Sequence, residues 1–146
     1  MTQPVRYQKL DNRAVEPKYG SAAAAGADLY AVMDAPLTLA PGETALVHTG
    51  LAVEIPAGFV GLVCARSGLA TKRGLAPANK VGVIDADYRG EVMVALHNHG
   101  AEPQTIGHGE RIAQLVLVPY LTAAYEQADD LSDTDRGAGG FGSTGK

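Results

Sequence analysis

The sequence predicts an all-β domain, a jelly-roll-like sandwich or barrel with at most one short helix, and three observations carry that reading. Eighteen glycines and eight prolines punctuate short apolar runs, and hardly any stretch long enough for a helix sustains a period of 3.6. Turn signals recur roughly every 8 to 15 residues, the rhythm of antiparallel strands rather than of βαβ units. The composition is 46% hydrophobic but only 5% aromatic, without tryptophan, so the core must be built from Val, Leu, Ile and Ala, which suit strands well. With 146 residues the chain fits one domain that can bury a core without disulfide or metal staples.

The clearest strand runs from Thr44 to Ile55, alternating around Leu46, His48, Gly50, Ala52 and Glu54 between Pro41-Gly42 and Pro56-Ala57-Gly58. Others run from Phe59 to Cys64, from Glu91 to Asn98 and from Arg111 to Pro119. The one helix expected begins near Ser67, with Ser67 as its cap, and ends before Gly74. Between Asn79 and Glu91 the apolar residues end at a dense acidic turn followed by a tyrosine, which predicts a hairpin with a carboxylate and a ring at its tip. After Tyr125 the composition changes: an acidic stretch leads into Arg136 to Lys146, with five glycines and one phenylalanine. That tail cannot pack a core. The division expected is therefore a β domain over residues 1–125 and a flexible arm over 126–146. Such an end can simply be solvated, or it can order over a ligand, for which Arg136 supplies a charge and Phe141 a ring.

The formal charge of −4 argues against binding a nucleic-acid backbone, which needs a basic surface. It leaves room for a nucleotide, whose few phosphates can be held by local arginines and backbone amides. Cys64 is the lone cysteine and falls in an apolar run expected to be buried, so a reducing compartment is expected. The N-terminus carries no signal-like pattern and the chain no long apolar span, so a cytoplasmic location without membrane attachment is expected.

Ala65-Arg66-Ser67-Gly68 joins a strand to a helix start and offers backbone N–H groups, a hydroxyl and a guanidinium together, which can hold an anion. Taken alone it is equally an ordinary solvated helix start. Asp85 and Asp87 can be turn formers that bond their own backbone, or metal ligands. No cluster of His or Cys with metal-ligand spacing accompanies them, and His48, His97, His99 and His108 read as solvated or sheet-face residues.

Five segments, in order, resemble the motif set of the homotrimeric dUTPases. They are Ala25-Gly26-Ala27-Asp28-Leu29, Ala65-Arg66-Ser67-Gly68-Leu69-Ala70, Gly82 to Glu91 (GVIDADYRGE), Gly109-Glu110-Arg111-Ile112-Ala113-Gln114-Leu115, and Arg136 to Gly145 (RGAGGFGSTG). The resemblance spans nearly the whole chain. Departures are small: Ala65 stands where many members have Pro, Ala86 where many have Ser, and Asn79-Lys80-Val81 where Asn-Ser-Pro is common. None removes a catalytic group.

The resemblance implies hydrolysis of dUTP to dUMP and pyrophosphate, which keeps uracil out of DNA and supplies dUMP for thymidylate synthesis. It implies that Asp85 activates water for in-line attack on the α-phosphorus, and that Tyr88 lies under the deoxyribose. Arg66, Ser67, Gly68, Gln114 and Arg136 would hold the phosphates. Asn79 and the backbone around Gly82 and Ile84 would read the uracil edge, and Phe141, Gly142, Ser143 and Thr144 would close over the nucleotide. A Mg²⁺ cofactor, held mainly by phosphate oxygens and waters, would be positioned through water by Asp28. The homotrimer implied has shared sites: one subunit gives the Arg66 and Gln114 segments, a second the Asp85 loop, a third the Arg136 arm. Two other readings are a dCTP deaminase of similar fold, which needs a general-base Glu in the pocket, and an inert nucleotide-binding module.

Overall fold

The computed structural model describes residues 2–142. Among these, eleven strands and one helix form in the order β1 (Arg6–Lys9), β2 (Lys18–Tyr19), β3 (Gly26–Tyr30), β4 (Leu37–Leu39), β5 (Thr44–Glu54), β6 (Phe59–Cys64), α1 (Ser67–Arg73), β7 (Leu75–Pro77), β8 (Val81–Ile84), β9 (Glu91–Asn98), β10 (Gln104–Ile106) and β11 (Arg111–Pro119). One sheet has the order β1-β5-β9-β7, a second the order β2-β3-β11-β6-β8, and β10 pairs with β4 in a separate ribbon. Every pairing is antiparallel.

The two large sheets face each other because each strand alternates. Along β9 the side chains of Val92, Val94, Leu96 and Asn98 are buried and those between them are not, the period of two that lets one face form a core. Val47, Val53, Val92, Val94 and Leu96 meet Leu29, Val63, Ala113 and Leu115 of the opposite sheet in one apolar cluster. Burying a side chain of this size stabilises the fold by about 1.5 to 3 kcal/mol, so small aliphatic residues suffice without tryptophan. The one buried amide, Asn98, donates to the carbonyls of Leu39 and Glu102 and accepts from Gly100 N–H. Burial leaves it satisfied, as it must be.

The four long strands expected from the sequence form at the places expected, the first ending at Glu54 rather than Ile55. Its alternation breaks, however. Leu46 and His48 face out while Gly50 and Ala52 are buried, because the pairing with β9 shifts between His48 and Ala52 and the Leu10–Ala14 turn covers Gly50, whose carbonyl accepts from Leu10 N–H at 2.7 Å. Ser67 does not cap the helix. Arg66 is the N-cap, with extended backbone and no side-chain cap bond, and Ser67 is the first helical residue. The predicted hairpin between Asn79 and Glu91 is also corrected: β8 belongs to one sheet and β9 to the other, so Asp85 to Gly90 link the sheets. Alternating apolar residues mark a strand, but its partner is chosen by distant packing.

Helix α1 ends at Gly74, in the left-handed region at φ 64°. A Cβ there would stand 2.7 Å from Gly100 N and 2.8 Å from Gly100 Cα. Since both backbone strain and a backbone clash oppose a side chain, Gly74→Ala is expected to cost about 2 to 3 kcal/mol, or roughly 5 to 10 °C in Tm. A variant melting with the parent protein would show that this end of the helix yields freely.

Candidate active site

One cluster forms at the end of the second sheet. Gln114 on β11 lies opposite Asp28 on β3 and opposite Cys64 on β6, so these three side chains share the sheet face directed away from the core. Cys64 is half-buried rather than enclosed. Two residues beyond it, Arg66 donates from Nε to Asp28 Oδ1 at 2.8 Å, and Arg111 donates from Nη1 to Asp28 Oδ2 at 3.3 Å. The Asp28 side chain is only 13% exposed, and a carboxylate so withdrawn from water needs such pairing. Gln114 Nε2 donates to the Ala65 carbonyl at 2.8 Å, which fixes its amide beside the Arg66 turn. This close approach explains Gly26: a Cβ there would lie 2.8 Å from Gln114 Cδ. Ser67 and Gly68 are exposed, and nothing lies within 4 Å of a Cβ built at Gly68, so the helix start is open.

Other candidate residues lie at both ends of β8, on the turn before it at the Arg66 end and on the loop after it at the far end. Asn79 precedes Lys80, which takes a positive φ of 66°, and the Asn79 carboxamide nitrogen would be 3.4 Å from a Cβ at Gly82. Gly82 faces Val63 and Ile84 faces Gly61. Asp85 follows, exposed. The Tyr88 hydroxyl donates to the Glu91 carbonyl at 2.8 Å, and its ring covers Gly90, where a Cβ would stand 2.6 Å from Tyr88 Cζ. Arg89 braces this loop, donating from Nη1 to the carbonyls of Ala86 at 2.7 Å and Tyr88 at 3.0 Å. Its Nη2 also lies 3.8 Å from Glu54 Oε1. Glu54 bonds Arg6 as well, and that guanidinium holds its carboxyl below the ordinary glutamate range.

The structure brings Asp28, Arg66 and Gln114 together and keeps Asp85 and Tyr88 away from them. Val81 faces Cys64, whereas Ile84 faces Gly61. Arg66 therefore leaves the β6-β8 pair at one end and Asp85 at the other, roughly 20 Å apart at about 3.3 Å of rise per residue. The tail joins neither group. Arg136 donates from Nε to Gly139 O at 2.6 Å within its own turn, and Phe141 is fully exposed. Gly142 has φ 88°; Ser143 and Thr144 lie outside the described residues.

Two arginines had no role from sequence reasoning, Arg111 on the Asp28 carboxylate and Arg89 under the Asp85 loop. Both fall inside the motifs named above; the partner of Arg111 is distant in the chain, and Arg89 bonds nearby backbone carbonyls, which no residue type in the sequence marks. The four histidines occupy sheet faces and surface, His48 bonded to Glu91 and His97 to Thr44. Among the described residues no three of His, Cys, Asp and Glu come together to hold a metal ion, and no helix is long and apolar enough to cross a membrane. Mg²⁺ keeps most of its waters and binds through one or two carboxylates plus substrate phosphates. One carboxylate beside two arginines fits an ion of that kind and does not fit an all-protein cage.

An all-β domain with arginines, a carboxamide and a half-open helix start at one sheet end, and a free carboxylate with a tyrosine at the other, has the groups that a hydrolase of phosphate esters or anhydrides needs. The family model for dUTPases matches residues 12–145, and the chain belongs to that family. A deoxyuridine 5'-triphosphate nucleotidohydrolase of Desulfitobacterium hafniense is 51% identical over 142 residues, 97% of this chain and 94% of the relative. One of an Anaeromyxobacter species is 55% identical over 130 residues, 89% of this chain and 87% of the relative. Among solved structures, the dUTPase of Staphylococcus bacteriophage 80alpha with dUpNHpp has a TM-score of 0.89 at 31% identity, covering 99% of this chain and 100% of the phage chain. A mutant dUTPase from phage phi11 of S. aureus, in a structure concerned with coordination of a structural Mg(II) ion, has a TM-score of 0.80 at 26% identity, covering 90% and 100%.

Proposed function

We propose that the chain hydrolyses dUTP to dUMP and pyrophosphate, in sites that copies of the chain build together as a homotrimer. Hydrolysis of dUTP is the activity its family membership and close relatives support. The observation that carries the shared site is the separation of Asp85 from the Arg66 cluster on one chain. A second copy has a place to dock: Val83, Leu62 and Val116 face one another across β8, β6 and β11 on the sheet's outer side. Val83 is 61% exposed beside the half-buried Leu62 and Val116, and a contiguous apolar row that reaches the surface favours an interface. This row borders the Asp28-Gln114-Cys64 row, so a copy seated on it reaches the arginines.

In this reading Asp85 accepts a proton from water as the water oxygen bonds to the α-phosphorus and the bond to the bridging oxygen of the β-phosphate breaks. Arg66, Ser67, the Gly68 backbone, Gln114 and Arg136 offset the phosphate charge. Asp28 would help to hold Mg²⁺ through water, and the ion when bound would add charge neutralisation on the phosphates. Asn79 and the backbone about Gly82 and Ile84 read the uracil edge. Phe141 to Thr144 close over the nucleotide. A cytoplasmic location accords with the single free cysteine.

The test is to supply each deoxynucleoside triphosphate with Mg²⁺ and identify the products. Pyrophosphate with dUMP, from dUTP alone, is expected; ammonia from dCTP marks a deaminase, and no product marks an inert module. Removing Mg²⁺ with a chelator is expected to abolish most turnover and leave Tm unchanged, since the described residues form no metal cage. A large fall in Tm would mean that the ion is structural.

Tyr88→Ala is expected to admit UTP. The ring is held at its phenol end, by the bond to the Glu91 carbonyl and by its approach to Gly90, so it can act as a wall against a 2'-hydroxyl. The ratio of kcat/KM for dUTP over UTP should fall; an unchanged ratio places discrimination elsewhere.

A further inference from the structure

Arg66 stands at the start of helix α1 and Arg73 at its end; Arg66 is bonded to Asp28 on β3 and Arg73 to β10 and the turn before β11. Arg73 donates from Nε to Gln104 Oε1 at 3.0 Å, from Nη1 to Glu110 Oε2 at 2.9 Å and from Nη2 to the Thr105 carbonyl. Glu110 uses its other oxygen to accept from Gly107 N–H at 2.9 Å, and its carbonyl accepts from Ala31 N–H at 2.8 Å. It therefore holds the turn that leads into β11. The next residue, Arg111, reaches Asp28, and Asp28 is bonded to Arg66. Covalent and ionic links thus close a ring: Arg66 through the helix to Arg73, then to Glu110, Arg111, Asp28 and back to Arg66.

The Arg73 and Glu110 side chains are 33% and 41% exposed, and ion pairs so open to solvent contribute little to stability. Geometry is what they add. A guanidinium fixed on three acceptors defines a direction as well as a distance, which a lysine cannot do. A helix of seven residues has little rigidity of its own, and tying its end to the turn before β11 and its start to Asp28 on β3 limits its freedom to rock.

We propose that Arg73 and Glu110 are a positioning pair, touching no substrate, that holds Arg66 and Arg111 in register for the polyphosphate. The inference rests on the reading of the Arg66 cluster as the phosphate site, and Arg66→Met serves as its reference. The Mg²⁺-loaded enzyme is assayed for kcat and KM with dUTP, and for inhibition by pyrophosphate and by deoxyuridine, which bears no phosphate. Arg73→Met and Glu110→Gln are each expected to raise KM and the pyrophosphate inhibition constant about tenfold, an effect within reach of a small misplacement of a binding group. Deoxyuridine inhibition and Tm should stay near the parent values. The double variant should be little worse than either single one, because both remove the same link, and Arg73→Lys should recover only part. Glu110→Gln keeps an acceptor for Gly107 and carries the test if Arg73→Met folds poorly. Unchanged pyrophosphate binding in these variants beside a weakened Arg66→Met overturns the positioning role, as does equal weakening of deoxyuridine. Unchanged pyrophosphate binding in Arg66→Met itself overturns the phosphate-site reading.

Discussion

Asp85→Asn is expected to lower kcat for dUTP by about 10²- to 10⁴-fold, the range for loss of a general base. The amide preserves the shape of the side chain but cannot take a proton from water. Asp85 is exposed at the start of a loop braced by Arg89, so neither the fold nor nucleotide binding should suffer, and KM should hold. Retention of kcat within about threefold would remove Asp85 from the role of base. The same variant tests the shared site. Mixed with Arg66→Met under conditions that exchange subunits, it should regain turnover, because some sites then combine an intact Asp85 from one chain with an intact Arg66 from another. A mixture in which subunits exchange yet activity stays at the level of the parents would mean that each site is made by a single chain.

Removal of residues 136–146 is expected to cut kcat by about 10²-fold, the scale on which a lost positioning group acts, and to leave Tm unchanged. Among the described residues the last strand ends at Pro119, and Leu121, Tyr125, Leu131 and Phe141 beyond it are exposed, so truncation removes no described core residue. Free in solution, a glycine-rich arm buries too little apolar surface to offset its ordering entropy. Bound nucleotide changes the balance. Phe141 can stack on the base, a contact worth roughly 1 to 3 kcal/mol in nucleic-acid complexes, and Arg136 can leave Gly139 for the γ-phosphate. Closure of the arm would then exclude bulk water and leave the single attacking molecule in the site. Intact turnover after truncation would make the arm an ordinary solvated end, whereas an unfolded product would make it structural.

What was legible in the sequence followed from local rules. Long strands such as β6, β9 and β11 have enough residues to show their boundaries, and Gly74 announces the end of the helix. Short strands such as β2 and β4, of two and three residues, give no period to read. Partner choice was illegible for the same reason that Arg111 was overlooked: the partner lies far away in the chain. The extra turn over Gly50, which breaks the expected alternation, depends on Leu10 to Ala14, a segment without apolar rhythm. Residues proposed for chemistry were located through the resemblance, while the structure supplied how they are held.

The loop from Asp85 to Gly90 begins on an edge strand of one sheet and ends on an interior strand of the other. Neither sheet alone can give it a shape, so the carboxylate and the tyrosine take their places only after both sheets have formed and closed on each other. In folding terms the loop is a late reporter: long-range pairings come slowly, and a chain with only the second sheet finished has the Asp28 and arginine cluster in place but not the Asp85 loop. Recovery of turnover during refolding therefore follows closure of the sandwich and cannot precede it.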